Sequence, residues 1–137
     1  MNTYNINDKD FINTSLYEKF MNDNKELGSL EIRAYTASEA VPISGLKIVV
    51  FTIYDNNKIV FFDGYTDESG KVNKMYLPAP KLNKDDNEIP SKTIYEIEAT
   101  YVPDNVSKTY KVNLYENICV LQNITLVPDQ ITRLGEY

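Results

Sequence analysis

A chain of 137 residues, 42% of them hydrophobic, is one domain's worth of sequence, enough to bury roughly two-thirds of its unfolded surface. A net charge of −6, with the 14 basic residues scattered rather than clustered, argues against a phosphate-tracking surface and so against nucleic acid. The sequence has no histidine, the commonest general base and transition-metal ligand, and its single cysteine, Cys119, excludes an internal disulfide framework.

Met1 to Asp10 is polar and lacks the apolar stretch of a secretory leader, and no run approaches the roughly 20 apolar residues of a membrane span. The chain is therefore expected to be cytoplasmic as synthesised, with any spore or envelope association reached by another route. Residues 1–27 read as an N-terminal extension. Phe11, Ile12, Leu16, Phe20 and Met21 recur at helical spacings, which predicts an amphipathic helix over Asp8–Met21 between polar, loose flanks. A helix that short is not stable alone, so it docks or the leader is disordered. Phe11, Leu16 and Phe20 would then be the partner-binding residues, because an apolar face on a short leader needs somewhere to bury.

From Gly28 the period becomes two. Leu30, Ile32 and Ala34 alternate with Glu31 and Arg33, the pattern of a half-buried strand. Leu46 to Tyr54 is apolar and β-branched, as in a central strand, and Asp55-Asn56-Asn57-Lys58 is a hairpin turn. Ile59 to Tyr65 returns as a strand, followed by the turn Thr66-Asp67-Glu68-Ser69-Gly70. There Asp67 and Ser69 cap their own backbone and Gly70 supplies a positive φ. Val72 to Leu77 is the next strand, and Pro78-Ala79-Pro80 is expected to end its pairing. A charged loop spans Lys81 to Pro90. Strands follow over Thr93–Tyr101, Val106–Leu114 and Ile118–Val127, with a turn at Pro103-Asp104-Asn105 and a stop at Pro128. The fold class is all-β: a seven-stranded antiparallel Greek-key sandwich over 28–128, flanked by the extension (1–27) and a tail (129–137).

Several of these segments are similar to a known family. Tyr35-Thr36-Ala37-Ser38-Glu39-Ala40-Val41-Pro42-Ile43-Ser44-Gly45-Leu46-Lys47-Ile48, then Thr66 to Lys71, then Leu77-Pro78-Ala79-Pro80 carry the likeness. With Tyr95-Glu96-Ile97-Glu98-Ala99 and Ile118 to Pro128, this order resembles the carboxypeptidase regulatory-like, or prealbumin-like, β-sandwich modules. It is similar in particular to those accompanying spore cortex-lytic and peptidoglycan-associated proteins of spore-forming Firmicutes. The resemblance covers about Gly28–Pro128 and departs from the pattern at Thr100-Tyr101-Val102-Pro103. It implies a non-catalytic accessory or anchoring module and no catalytic residues.

The chemistry visible in the residues agrees with that expectation. Asp55, Asp63, Asp67, Glu68 and the Asp85-Asp86-Glu88 loop offer oxygen ligands for calcium, but isolated Asp residues at turns usually serve the backbone, so no metal and no cofactor is expected. Hydroxyisourate hydrolases that resemble this sandwich use histidines and a C-terminal Tyr-Arg-Gly-Ser, whereas this chain ends Leu134-Gly135-Glu136-Tyr137. Without histidine, Ser or Cys nucleophiles lack an evident base. Glu96 and Glu98 share a strand face, as solvated charges do. Adhesin sandwiches that close a Lys–Asn isopeptide bond carry lysine where this chain has Arg33, which leaves Lys47 with Asn123 as a remote pair. Cys119, in an apolar run, reads as a small buried hydrophobe. Of the eleven tyrosines, Tyr95 and Tyr101 point to the core, and Tyr4, Tyr17, Tyr35, Tyr76, Tyr115 and Tyr137 are candidates for a binding face. The expected function is a non-enzymatic structural or protein-interaction module, with a protein partner or self-association, in spore or cell-envelope assembly. The alternative is a carbohydrate- or peptidoglycan-binding accessory domain, and a hydrolase ranks last.

Overall fold

The computed structural model describes residues 1–37, 40–83, 89–101 and 106–126. In chain order the elements are β1 (Thr3–Asn5), α1 (Lys9–Ile12), α2 (Ser15–Asp23), β2 (Glu26–Thr36), β3 (Lys47–Tyr54), β4 (Asn57–Tyr65), β5 (Lys71–Ala79), β6 (Thr93–Tyr101), β7 (Val106–Leu114) and β8 (Cys119–Leu126). Among the described residues eight strands form two sheets, one of five strands ordered β1-β4-β3-β6-β7 and one of three ordered β5-β2-β8. The all-β sandwich stands, with two amendments. There is an eighth strand, β1, and two pairings are parallel, β1 with β4 and β2 with β8.

The alternating residues of β2, β3 and β6 meet between the sheets. Leu30, Ile32, Ile48, Val50, Tyr95 and Ile97 are all fully enclosed there, joined by Leu46, Leu114 and Ile124. Burial on this scale is the main force holding the sheets together. The hairpin after β3 is tighter than the predicted four-residue turn. Tyr54 pairs with Asn57, leaving only Asp55 (φ 46°) and Asn56 (φ 60°) in the loop. Positive φ at both central residues matches the right-handed strand twist, and Asn and Asp tolerate it.

The second turn forms as its residues dictate. Asp67 Oδ1 accepts from the backbone N–H groups of Ser69 (2.8 Å) and Lys71 (2.9 Å), and Gly70 sits at φ +72°. Thr66 is buried. Its hydroxyl donates to the Ile43 carbonyl (2.6 Å) and accepts from the Leu46 N–H (3.0 Å), fastening this turn to the Pro42–Gly45 connection.

Pro78 does not end β5. It lies opposite Leu27, and the strand runs on to Ala79, because β5 is an edge strand and proline is tolerated there. The Pro78 carbonyl accepts from the Tyr95 hydroxyl at 2.5 Å, so the phenol is buried with its one donor satisfied. Burial pushes the Tyr95 phenol above its ordinary value, which is near 10 for an exposed tyrosine. Its contribution to stability is therefore complete below about pH 10 and is lost as the pH climbs towards the raised folded value. Tyr95→Phe is expected to cost about 1–2 kcal/mol at neutral pH, where the Pro78 carbonyl loses its donor. The variant should also lose less stability than the parent on moving above about pH 10, which thermal melts at neutral and alkaline pH would show.

Residues 1–25 are part of the folded body. The five-stranded sheet is wider than its partner, and α1 and α2 cover the inner face left open over β4 and the end of β3. Phe11, Phe20 and Ile59 form a second core, with Tyr4, Leu16, Tyr17, Met21, Tyr54 and Phe61 around it. The expected single helix is two, because each has its own cap. Asp8 accepts from the Asp10 N–H and Thr14 from the Tyr17 N–H, and the chain is extended at Thr14. The segment Thr3–Asn5, expected to be loose, pairs with Lys58–Val60 of β4. A register shift between Val50 and Phe51 leaves Phe61 as an extra residue in β4. Phe61 joins the two cores, its ring 5.3 Å from that of Tyr95 and 5.9 Å from that of Phe20.

The tip of the charged loop (84–88), the turn at Pro103-Asp104-Asn105, and the chain from Val127 on, including Pro128 and the tail, lie outside the described residues.

Candidate functional site: the outer face of the three-stranded sheet

The residues singled out on the leader are occupied within the chain. Phe11 and Phe20 are buried (1% and 0% exposed) and Leu16 is half-buried against them. Their apolar face finds its burial on β4, so in this conformation neither phenylalanine is presented to a partner.

An apolar surface is presented on the outer face of the three-stranded sheet. On β2, Leu30, Ile32 and Ala34 point inward, which turns Leu27, Ser29, Glu31 and Arg33 to the outside. Register aligns Tyr76 of β5, Ser29 of β2 and Cys119 of β8 in one row across the sheet. Leu27 with Pro78 flanks that row on one side, and Glu31 with Leu121 on the other. Tyr76 is 65% exposed, Leu27 52% and Leu121 45%. Between them a shallow depression of about 350 Å³ is bounded by Leu27, Ser29, Lys74, Tyr76, Asn117 and Cys119. Cys119 is exposed, against the expectation of burial. The run Ile118-Cys119-Val120-Leu121 is apolar, but β8 is an edge strand whose core face is carried by Val120, Ile124 and Leu126, and alternation turns Cys119 outward.

Around α2 several polar groups are paired among themselves. The Tyr54 hydroxyl donates to Asp23 Oδ2 at 2.5 Å, and Lys19 Nζ sits 2.8 Å from Asp55 Oδ2. Burial first, then the Asp23 hydrogen bond and charge, push the Tyr54 phenol up. The hydrogen bond and then the charge of Asp55 hold the Lys19 ammonium above its usual value. Asn24, buried at the end of α2, donates to the Phe20 carbonyl (2.9 Å) and accepts from the Thr93 hydroxyl. The Thr52 hydroxyl donates to the Ile94 carbonyl at 2.7 Å. A cleft of about 550 Å³ between α2 and the β3–β6 end is lined by Asp23, Asn24, Thr52, Tyr54 and Thr93, whose side-chain polar groups are engaged in these hydrogen bonds.

The other candidates are dispersed. Asp67 serves its turn, Asp55 pairs with Lys19, and among the described residues no group of three or more acidic or thiol side chains could hold a metal. Glu96 lies opposite Lys111 and Glu98 opposite Thr109 on the outer face of β6, in no cleft. Arg33 is directly opposite Asn123 on the parallel pair β2–β8, whereas Lys47 sits on β3 in the other sheet, so Lys47 and Asn123 are not brought together. Lys108 reaches from β7 to donate to the Thr125 carbonyl of β8 (3.0 Å), covering that edge. Among the described tyrosines, Tyr95 is in the core, Tyr101 packs on it, and Tyr65 and Tyr76 are the ones with more than half their surface free. No helix among the described residues is long and apolar enough to cross a membrane.

No protein-family model matches the sequence, and no curated protein matches it. Solved structures do. The N-terminal domain of the shaft pilin SpaA from Lactobacillus rhamnosus GG aligns with a TM-score of 0.52 at 14% identity, over 74% of this chain and 95% of that one. The 5-hydroxyisourate hydrolase of Klebsiella pneumoniae aligns with a TM-score of 0.50 at 10% identity, over 74% and 90%. An (S)-allantoin synthase aligns at 0.51 and 9% identity, over 77% of this chain and 43% of that one. The fold is a prealbumin-like β-sandwich. At these identities the likeness concerns the fold alone, and one fold serves both shaft subunits and enzymes.

Proposed function

We propose that this chain is a non-catalytic structural and protein-interaction module, working in a spore or cell-envelope assembly and holding a protein partner on the outer face of its three-stranded sheet. The observation that carries the reading is the row of exposed apolar side chains, Leu27, Tyr76 and Leu121 around Cys119, on a face that nothing among the described residues covers. Contiguous exposed apolar surface marks interaction sites more often than chance. A shaft pilin with the same fold is compatible with a structural role. The lack of histidine removes the base that most Ser, Cys and metal-assisted hydrolases rely on.

The test compares the full chain with its Leu121→Asp and Tyr76→Asp variants, which place a charge on the exposed face without touching the core. The chain is expected to retain a protein from its own cells, or to self-associate by light scattering as concentration rises, and both variants should lose this while melting like the parent. Pelleting with purified peptidoglycan, unaffected by either variant, would favour the carbohydrate-binding alternative. Hydrolytic turnover that survives purification and disappears on a single carboxylate change would overturn the non-catalytic reading.

A further inference from the structure

β5 closes one side of the three-stranded sheet, and its one strand partner among the described residues is β2. The Lys71 N–H and carbonyl are both held by Asp67, but from Asn73 to Tyr76 the far side of the backbone has no strand partner among the described residues, the template onto which an extended chain adds. The remaining edges differ. β1 is three residues long, and the β7 and β8 edges are bridged by Lys108 of β7, which donates to the Thr125 carbonyl of β8.

Two features flank the β5 edge. On the outer side, Lys71, Asn73 and Lys74 are exposed, and Arg33 of β2 lies directly opposite Lys71. Like charges directly opposite on neighbouring strands are destabilising, and here they occur in a chain of net charge −6. Glu31 is the acid that shares this shallow groove. Asp67 stands nearby with its carboxylate bound to the turn backbone. Among the described residues the one ion pair is Lys19–Asp55, so Arg33, Lys71 and Lys74 have none. On the inner side, between β5 and the helical layer, an apolar groove of about 320 Å³ opens beside the same edge, lined by Ile6, Met21, Phe61, Phe62, Met75 and Leu77.

We propose that the β5 edge is the docking site for an extended acidic segment of a partner protein, in which acidic side chains alternate with apolar ones. The inference rests on the reading of the chain as a protein-interaction module and names one of its contacts. A strand added to β5 places alternate side chains about 5 Å from Lys71 and Lys74 on the outer side. The intervening side chains fall over the groove between β5 and α2, as in strand-addition recognition. The lysines keep unsuitable strands off the edge, and the same charges admit one bearing acids. A second copy is a poor occupant. Antiparallel pairing of this stretch with itself sets Lys71 against Lys74 of the other copy.

The probe is a fluorescein-labelled Glu-Val-Glu-Val-Glu-Val peptide, with Gln-Val and Lys-Val repeats of the same length and an N-methylated Glu-Val repeat as controls. It is titrated into the full chain by anisotropy. The Glu-Val peptide should bind about tenfold or more tightly than the Gln-Val one, weakening with salt. N-methylation, which keeps the charges and removes the ladder, should abolish binding whatever variants do. The double variant Lys71→Glu, Lys74→Glu should reverse the preference in favour of the Lys-Val peptide. Amide hydrogen exchange should slow within Asn73–Tyr76 on binding. Equal affinity for the four peptides, protection elsewhere, or protection of Asn73–Tyr76 by self-association without peptide would each overturn the proposal. If the Glu-Val peptide fails to bind while Leu121→Asp still abolishes partner capture, this edge assignment falls and the interaction-module reading stands.

Discussion

Phe20→Ala is expected to destabilise the protein by about 3–5 kcal/mol, the cost of truncating a fully buried aromatic side chain. The ring is 0% exposed, 5.1 Å from Tyr54 and 5.9 Å from Phe61, so its removal leaves a cavity at the seam where α2 meets the five-stranded sheet. Neighbouring backbone is tied down by Asn24, which holds the Phe20 carbonyl, and that limits collapse around the void. The expected shift in melting temperature is roughly 10 °C or more. Phe11→Ala acts on the same cluster, so the two effects should be non-additive in the double variant. Melting of each variant by circular dichroism checks this. An unchanged melt would mean that the first 25 residues are not part of the cooperative unit.

The second large effect is expected at Gly70. A Cβ there would lie 2.3 Å from the Ala34 carbonyl oxygen and 3.1 Å from the Ile43 nitrogen, both backbone atoms, and the residue holds φ +72°. Gly70→Ala must therefore move β2 away from the turn or abandon the turn, with an expected cost of about 3 kcal/mol or more. Gly45 supplies the control. It has nearly the same φ, +74°, but nothing lies within 4 Å of its added Cβ. Gly45→Ala should therefore show the left-handed penalty alone, roughly 1–2 kcal/mol. Equal losses in the two variants, measured by urea titration, would rule out the close approach as the cause.

These positions also explain what the family-like motifs are for. The Pro42–Gly45 connection and the Thr66–Gly70 turn, far apart in sequence, are fastened together by the Thr66 hydroxyl and by the Gly45 N–H to Thr66 carbonyl bond (3.0 Å), and the Ala34 N–H to Gly70 carbonyl bond (2.7 Å) ties the same turn to β2. The Leu77–Pro80 exit meets the Tyr95 strand through the Tyr95 hydroxyl. The motifs are junctions of the sandwich, which is why they foretell a fold.

Local chemistry in the sequence determined the seven strands β2 to β8, the β3–β4 hairpin turn and the Thr66–Gly70 turn that passes from one sheet to the other. Val, Ile and Tyr at alternate positions can bury only one face of a strand, and Asp67, Gly70 and the Asp55-Asn56 pair satisfy their turns with their own atoms. What alternation cannot say is which strand lies beside which. The parallel pairing of β8 with β2 sets Cys119 on an outer face, and the edge position of β5 lets Pro78 remain in a strand; both depend on neighbours distant in the chain. The leader shows the same division. Its apolar spacing announced a face that had to be buried, and only the unequal widths of the two sheets decided that Phe11 and Phe20 close the protein's own second core. The candidate surface was the least legible part, because Leu27, Tyr76, Cys119 and Leu121 come from three strands and become neighbours only through the register of the sheet.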